Sequence, residues 1–132
     1  MTVTAASFDL DAKYRVIPVA MKSNVLHLDC AMALIRPGLL IYCPHKLIDG
    51  LPMSLRDWDK IEVSVDEANR LATNGVVLEE GRVIIDAGNA RVIDELRKRR
   101  VDVIPLPFDG PISLGGGLRC AHHPLLRESV LA

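Results

Sequence analysis

The stretch ALIRPGLLIY at residues 33–42 decides how the chain folds, because its pattern recurs about 43 residues later as VVLEEGRVII at residues 76–85. Each stretch is an apolar run, a glycine turn and a second apolar run, which is typical of a β-hairpin. Glycine supplies the positive φ that such a turn requires. The same offset aligns residues 58–63 with residues 101–106, and we predict a strand in both.

A helical stretch is predicted between the hairpin and the last strand of each copy. In the second copy, Asn89 is predicted to cap a helix whose apolar face lies within residues 92–96. In the first copy the pattern is weaker and predicts one helical turn at residues 51–55. Ser64 and Glu67 have the spacing of a capping box, so a second short helix is predicted after Ser64.

These elements predict an α/β protein built from two strand–strand–helix–strand units with fragments of two more. Repeats of this kind bury their faces only against their neighbours, so the ends of such an arc are expected to need a cover. A strand is predicted at residues 15–21, where it would end a preceding unit. The predicted organisation is an N-terminal extension at 1–14, a first unit with its preceding strand at 15–64, a second unit at 65–107, and a segment at 108–132 that opens a third.

The composition is that of a globular protein with no electrostatic preference for nucleic acid or membrane. The 132 residues are 49% hydrophobic and 25% charged, and the net charge is −1. The one basic run, at residues 97–100, is predicted to be the last turn of a helix. Residues 1–13 are polar and lack the apolar core of a signal peptide, and no apolar run approaches membrane-spanning length.

The cysteine content indicates a reducing compartment. Cys30, Cys43 and Cys120 are too few and too scattered for a disulfide framework, and their spacing is not that of zinc ligands. We therefore expect a cytoplasmic protein without a metal site. Cys30 and Cys43 lie in or beside apolar strands and are predicted to be buried, unreactive thiols. Trp58, the only tryptophan, is predicted to lie in the core.

Two short motifs carry the candidate chemistry. His27 and Asp29 are two residues apart, so on an extended strand they would share one face and offer an acid/base and a cation-binding group; the alternative is a surface histidine at a strand edge. Cys120 follows three glycines at residues 115–117, whose bare amides would admit a substrate and stabilise a thiolate; the alternative is a flexible turn before a buried cysteine. His122 and His123 are adjacent, so a strand would point them to opposite faces and a structural role is predicted for both.

The combination of HLDC at residues 27–30, the repeat, and GGGLRC at residues 115–120 resembles the guanidine-modifying superfamily, whose members have the pentein fold. Residues 71–75 and 106–124 look most similar to its amidinotransferase branch, which includes the glycine and inosamine-phosphate amidinotransferases. The resemblance covers residues 15–127.

The resemblance implies an α/β propeller of five such units around a polar centre, and an enzyme that needs no cofactor. Cys120 would attack the guanidinium carbon of arginine or a similar guanidine and form an amidino-thioether. His27 would act as the acid and base, and Asp29 would hold the guanidinium. Asn24 matches a substrate-contacting asparagine, and Lys46 keeps the charge of a family arginine that binds the substrate carboxylate.

The resemblance also implies that this chain corresponds to the C-terminal half of such an enzyme. Family members are about twice as long, and their first half supplies further carboxylates. Only 26 residues precede His27, and they include Asp9 and Asp11 but no loop of the Glu-Gly-Gly type. A homo-oligomer or a separate N-terminal half chain is therefore the expected partner. The alternatives are a guanidine hydrolase of the same superfamily, or a non-catalytic remnant or interaction module.

Overall fold

Two three-stranded sheets of the same design follow one another along the chain. In each sheet, two antiparallel strands form a hairpin, and the third strand pairs parallel with the second. The computed structural model describes residues 15–126 and 128, so the predicted extension at 1–14, with Asp9 and Asp11, lies outside the described residues. The strands are β1 (Met32–Arg36), β2 (Leu39–Tyr42), β3 (Asp59–Glu62), β4 (Val76–Glu79), β5 (Arg82–Asp86) and β6 (Asp102–Leu106).

The sequence repeat is confirmed down to the register of the hairpins. The turns are made at Gly38 and Gly81, with φ of +84° and +79°. The pairing of β1 with β2 shifts between Leu34 and Arg36, and the pairing of β4 with β5 shifts at the corresponding place. Equivalent residues therefore occupy equivalent positions in the two units.

Both predicted helices of the second unit form, with a difference at one cap, and two further short helices after β6 were not predicted. They are α1 (Val65–Asn69), α2 (Ala90–Lys98), α3 (Asp109–Ser113) and α4 (Leu118–Ala121). A capping box of Ser64 and Glu67 starts α1, as predicted. Asn89 precedes α2, but its side chain does not cap the helix; the amide group faces back to Asp86, which draws it away from the helix amides. In the first unit the helical stretch is a single 3-10 turn at Met53–Leu55.

The second unit packs on the first sheet and forms the main core. Ile41 and Ile61 of the first sheet are 1% and 2% exposed, and they share one cluster with Val92 and Leu96 of α2. Burying each such side chain contributes about 1.5–3 kcal/mol. A smaller cluster forms on the other side of the first sheet, with Trp58 only partly buried against it. The face of the second sheet equivalent to the Ile41 and Ile61 face is left uncovered by the residues that the structure describes, since Ile104 and Leu106 are 41% and 42% exposed.

Ion pairs support the contact between the two units. The basic run does end α2, as predicted, and Arg99 at its C-terminus pairs with Asp59 of β3 at 2.7 Å. Arg91 on α2 donates to the carbonyl oxygen of Glu62 in β3 at 2.9 Å, and pairs with Glu67 on α1 of its own unit at 2.6 Å. Arg36 donates a hydrogen bond to the carbonyl oxygen of Arg99 at 2.8 Å. Because these pairs are exposed or half-exposed, they contribute little to the free energy of folding, and their main effect is to orient α2 on the first sheet.

We expect the Glu67–Arg91 pair to make the free energy of unfolding depend on pH in the acidic range. Hydrogen bonding to Arg91 and to the backbone N–H of Ser64 lowers the pKa of Glu67 from 4.5 to about 2. The ionised carboxylate therefore stabilises the fold above pH 4.5, and that contribution is lost as the pH falls towards 2. Glu67→Gln, which preserves the shape of the capping box, should remove about 0.5–1 kcal/mol at neutral pH.

Urea denaturation between pH 4.5 and pH 2 tests this expectation. The wild-type free energy of unfolding should fall more steeply than that of Glu67→Gln, while Glu80→Gln, at an exposed position, should behave as the wild type. Parallel curves for the wild type and Glu67→Gln would contradict the assignment.

The predicted strand at residues 15–21 does not form. Only Met21 makes a β-bridge, to Leu47, and residues 15–18 are exposed. Pro18 lacks the N–H that a ladder would use. Among the residues that the structure describes, no helix is both long enough and apolar enough to cross a membrane.

Candidate functional site

His27 and Asp29 lie at a tight turn rather than on a strand. His27 is extended, with φ −134° and ψ 157°, and a 3-10 turn at Leu28–Cys30 follows it. The N–H of Cys30 donates to the carbonyl oxygen of His27 at 3.0 Å, which closes the turn. The backbone leaves the extended conformation after His27, so the alternation that would place residues two apart on one strand face ends there. The prediction that His27 and Asp29 share a strand face is wrong for this reason.

The exposure of the two side chains differs. His27 is exposed, while Asp29 is half-buried beside Cys30, whose Sγ lies 3.7 Å from the Asp29 carboxylate. Burial raises the pKa of the Cys30 thiol, and the negative charge of Asp29 acts in the same direction. Cys30 is thus kept as a neutral thiol, although it is less buried than predicted. Cys43 is fully buried, as predicted.

Cys120 lies on α4 and is exposed. The glycines before it have separate structural roles. Gly115 has φ +86°, and the N–H groups of Gly115 and Gly116 donate to carbonyl oxygens of α3 at 2.9 and 3.1 Å. The expectation of bare amides is therefore wrong for these two residues, because α3 ends on them. Gly117 lies against Asn74, where a Cβ would come within 2.7 Å of the amide carbon.

A loop between α1 and β4 holds both motifs. The hydroxyl of Thr73 donates to the carbonyl oxygen of Asp29 at 2.8 Å. The next residue, Asn74, accepts a hydrogen bond from the N–H of Arg119 at 3.0 Å and lies 3.6 Å from the Cys120 sulfur. Both loop residues are buried, with 0% and 2% exposure. The two motifs, far apart in sequence, are thereby brought together.

A direct ion pair also joins the motifs. Nε of Arg119 lies 3.4 Å from the carboxylate of Asp29. Asp29 therefore already faces a guanidinium, that of the residue next to Cys120. The side chain of Arg119 is half-exposed, so it can leave this position without disturbing the core.

The turn that holds Asn24 is hydrogen-bonded to Lys46, but neither side chain is joined to Cys120. Asn24 is exposed in a turn closed by a hydrogen bond from the N–H of Val25 to the carbonyl oxygen of Lys22. The carbonyl oxygen of Lys46 accepts the N–H of Lys22 at 3.0 Å. No hydrogen bond or ion pair within 15–126 links the side chain of Asn24, His27 or Lys46 to Cys120.

The two histidines after α4 are exposed. Nδ1 of His122 lies 2.9 Å from the carbonyl oxygen of Arg119, which agrees with a structural role at the helix end. Across the described part of the chain, no three histidine, cysteine or acidic side chains are arranged to hold a metal ion.

Thr73, Asn74 and Arg119 are the site residues that the sequence did not identify. The signals were the resemblance of residues 71–75 to the amidinotransferases and a polar pair, Thr73 and Asn74, between the apolar residues 71–72 and 76–77. A buried polar pair indicates hydrogen-bonding partners elsewhere in the chain. Sequence alone does not name those partners.

A depression in the surface lies outside this cluster. It has a volume of about 290 Å³ and is lined by Arg70, Asp86, Asp109 and Ser113 among others. Asp86 accepts the backbone N–H groups of Gly88 and Phe108, which accounts for its burial at the end of β5. Two of its lining residues, Arg70 and Ser113, occupy the positions that correspond to His27 in the next two units, at offsets of about 43 residues.

The two units and their connections define part of a pentein-type α/β propeller. The solved inosamine-phosphate amidinotransferase StrB1 of Streptomyces griseus superposes with a TM-score of 0.68 and 25% identity, over 82% of this chain and 34% of that one. A dimethylarginine dimethylaminohydrolase, solved as an adduct with 4-chloro-2-hydroxymethylpyridine, superposes with a TM-score of 0.59 over 75% of this chain and 38% of that one. At 23% identity the latter shows the fold alone.

The chain is homologous to the inosamine-phosphate amidinotransferases, which are enzymes. It is 29% identical over 128 residues to inosamine-phosphate amidinotransferase 1 of Streptomyces glaucescens, covering 85% of this chain and 36% of that protein. It is also 34% identical over 116 residues to YkgA of Bacillus subtilis, an uncharacterized protein, covering 87% of this chain and 41% of YkgA. The chain thus spans about two fifths or less of these relatives. No protein-family model matches it.

Proposed function

We propose that this chain carries the nucleophile and one guanidinium-binding carboxylate of an amidinotransferase-type site. The observation that carries the proposal is the cluster of Asp29, Arg119 and Cys120, in which the Asp29 carboxylate already binds the guanidinium group of the residue next to an exposed thiol. The substrate guanidinium would take the place of the Arg119 side chain. Charge-assisted hydrogen bonds to Asp29 would then hold the substrate carbon near the sulfur.

In the proposed reaction the Cys120 thiolate attacks the central carbon of the guanidinium. The C–N bond to the departing amine breaks, and His27 gives that amine its proton. The amidino group is left on sulfur as a thioether. An acceptor amine, deprotonated by His27, then attacks the same carbon, and the sulfur leaves as the thiolate. Asn24 and Lys46 are proposed to bind the rest of the substrate. Protein side chains supply every step, and no cofactor is required.

Incubation of the protein with arginine, with and without glycine as acceptor, tests this function. Ornithine formed only when glycine is present supports amidino transfer, and citrulline formed in its absence supports the hydrolase alternative. No product in either mixture, together with no adduct on Cys120, would favour the non-catalytic alternative.

We also propose that the site is completed by a partner chain. Within the described cluster only Asp29 faces the guanidinium group, whereas a guanidinium has five N–H donors to satisfy. The chain alone is therefore expected to turn over slowly. Turnover by the isolated monomer at the rate of its longer relatives would contradict this proposal.

The bare face of the second sheet is the proposed contact for that partner. Ile61 and Val63 of the first unit are buried by the second unit, and their repeat equivalents Ile104 and Leu106 are exposed. We expect the chain to associate through this face, with a second copy or with an N-terminal half chain.

Light scattering at high protein concentration measures that association. Ile104→Asp should weaken it, while Leu125→Asp, at a position 95% exposed, serves as the matched control. A strictly monomeric wild type at all concentrations, with and without an added half chain, would count against the face.

The proposed compartment is the cytoplasm. Cys30, Cys43 and Cys120 are free thiols in the folded chain, and the proposed chemistry requires Cys120 to stay reduced.

A further inference from the structure

Asn74 is the polar residue whose burial the fold explains least. It is 2% exposed, and its Nδ2 has no hydrogen-bond partner among the residues that the structure describes. Burying an amide with one end unpaired is costly, and an apolar side chain of similar shape would avoid that cost. Packing alone therefore does not account for an asparagine at this position.

The other end of the amide, the oxygen Oδ1, accepts hydrogen bonds, and both come from residues at Cys120. Oδ1 accepts the backbone N–H of Arg119 at 3.0 Å, and the backbone oxygen of Asn74 accepts the same N–H at 3.2 Å. Because Arg119 can only donate there, the amide orientation is fixed, with its oxygen towards α4. The thiol of Cys120 lies 3.6 Å from that oxygen and donates to it.

Gly117 provides independent support. A Cβ at Gly117 would come within 2.7 Å of the Asn74 amide carbon, so the glycine is required by the amide rather than by its own backbone angle. The adjacent Thr73 holds the Asp29 turn through its hydroxyl at 2.8 Å. Two consecutive buried side chains thus fasten the two motifs to one loop.

We propose that Asn74 is a positioning residue for Cys120: its side-chain oxygen accepts the S–H of the resting thiol and so places the sulfur before it is deprotonated, and with Thr73 it sets the separation between the nucleophile and the Asp29 carboxylate. The proposal rests on the function proposed above, because it concerns the same thiol and carboxylate. It assigns Asn74 no contact with substrate.

Two alkylating reagents separate positioning from exposure. 2-Chloroacetamidine is a cation that Asp29 can hold while the Cys120 sulfur displaces chloride and forms an S–CH₂ bond. Iodoacetamide is neutral and reports only the accessibility of the thiol. The ratio of the two rates at Cys120, resolved by peptide mass spectrometry, therefore measures alignment with Asp29. Cys43, which is fully buried, reports any loosening of the fold.

In Asn74→Ala we expect the ratio to fall about tenfold or more, with Cys43 still protected. Gly117→Ala, which keeps Asn74 but displaces its amide, should give the same loss. Asn69→Ala, at an exposed position on α1, is the matched control and should leave the ratio unchanged.

A wild-type ratio in Asn74→Ala and Gly117→Ala, with Cys43 protected, would overturn the proposal. Labelling of Cys43 in both variants would also overturn it, since Asn74 would then hold the fold and not the thiol. If the wild type itself shows no preference for 2-chloroacetamidine at Cys120, the proposed guanidine site is overturned, and the positioning role of Asn74 is overturned with it.

Discussion

Replacing Cys120 with serine is expected to lower the rate of covalent labelling by 2-chloroacetamidine about a hundredfold or more. Cys120 is the exposed thiol, whereas Cys43 is fully buried and Cys30 is half-buried. Burial and the neighbouring Asp29 charge raise the pKa of Cys30, so it supplies little thiolate near neutral pH. Labelling should therefore be confined to one peptide. Mass spectrometry of intact and digested protein measures this.

Cys30→Ser is the matched control, because it removes a thiol from the same cluster. It should keep at least half of the wild-type labelling rate, since Cys120 is untouched. Labelling of Cys30 as fast as Cys120 in the wild type would contradict the assignment of the nucleophile. The same result would remove the support for His27 and Asp29 as its partners.

Replacing Leu96 with alanine is expected to lower the free energy of unfolding by about 2–5 kcal/mol. Leu96 is 0% exposed on α2, in the cluster that joins the second unit to the first sheet. Loss of its side chain leaves a cavity at the contact between the two units. Because the site draws on both units, labelling of Cys120 should lose its selectivity at denaturant concentrations that leave the wild type intact.

Urea denaturation measures the change, and an unaltered m-value would show that the folded and unfolded states stay comparable. Leu125→Ala, at a position 95% exposed, should change stability by less than about 0.5 kcal/mol. A loss below about 1 kcal/mol for Leu96→Ala would mean that α2 does not anchor the second unit.

The fold could be predicted from sequence where the determining signals are local. The hairpin turns at Gly38 and Gly81 follow from glycine between apolar runs. The capping box of Ser64 and Glu67 needs only a spacing of three residues. The strand at 15–21 failed because local pattern does not reveal whether a segment has a partner to pair with.

The site could be predicted only in part, because its geometry depends on long-range contacts. The candidate residues at positions 27, 29 and 120 were identified from motifs, but the backbone conformation at these positions was not. The N–H of Cys30 donates back to His27 instead of pairing with another strand. The contact between the Asp29 carbonyl oxygen and Thr73, in a distant loop, favours this turn, and no local pattern reveals that contact. The reason for Gly117 lies at Asn74, more than forty residues away, where no sequence window could find it.

The loop that carries Thr73 and Asn74 has a consequence for how this chain tolerates changes of length. Insertions at the hairpin turns, near Gly38 or Gly81, lengthen a connection without altering what either motif contacts. One residue added between Ala72 and Gly75 would shift one anchor relative to the other and move the Asp29 turn away from the Cys120 sulfur. Grafting of units between relatives should therefore keep this short loop whole and place its junctions at the hairpins.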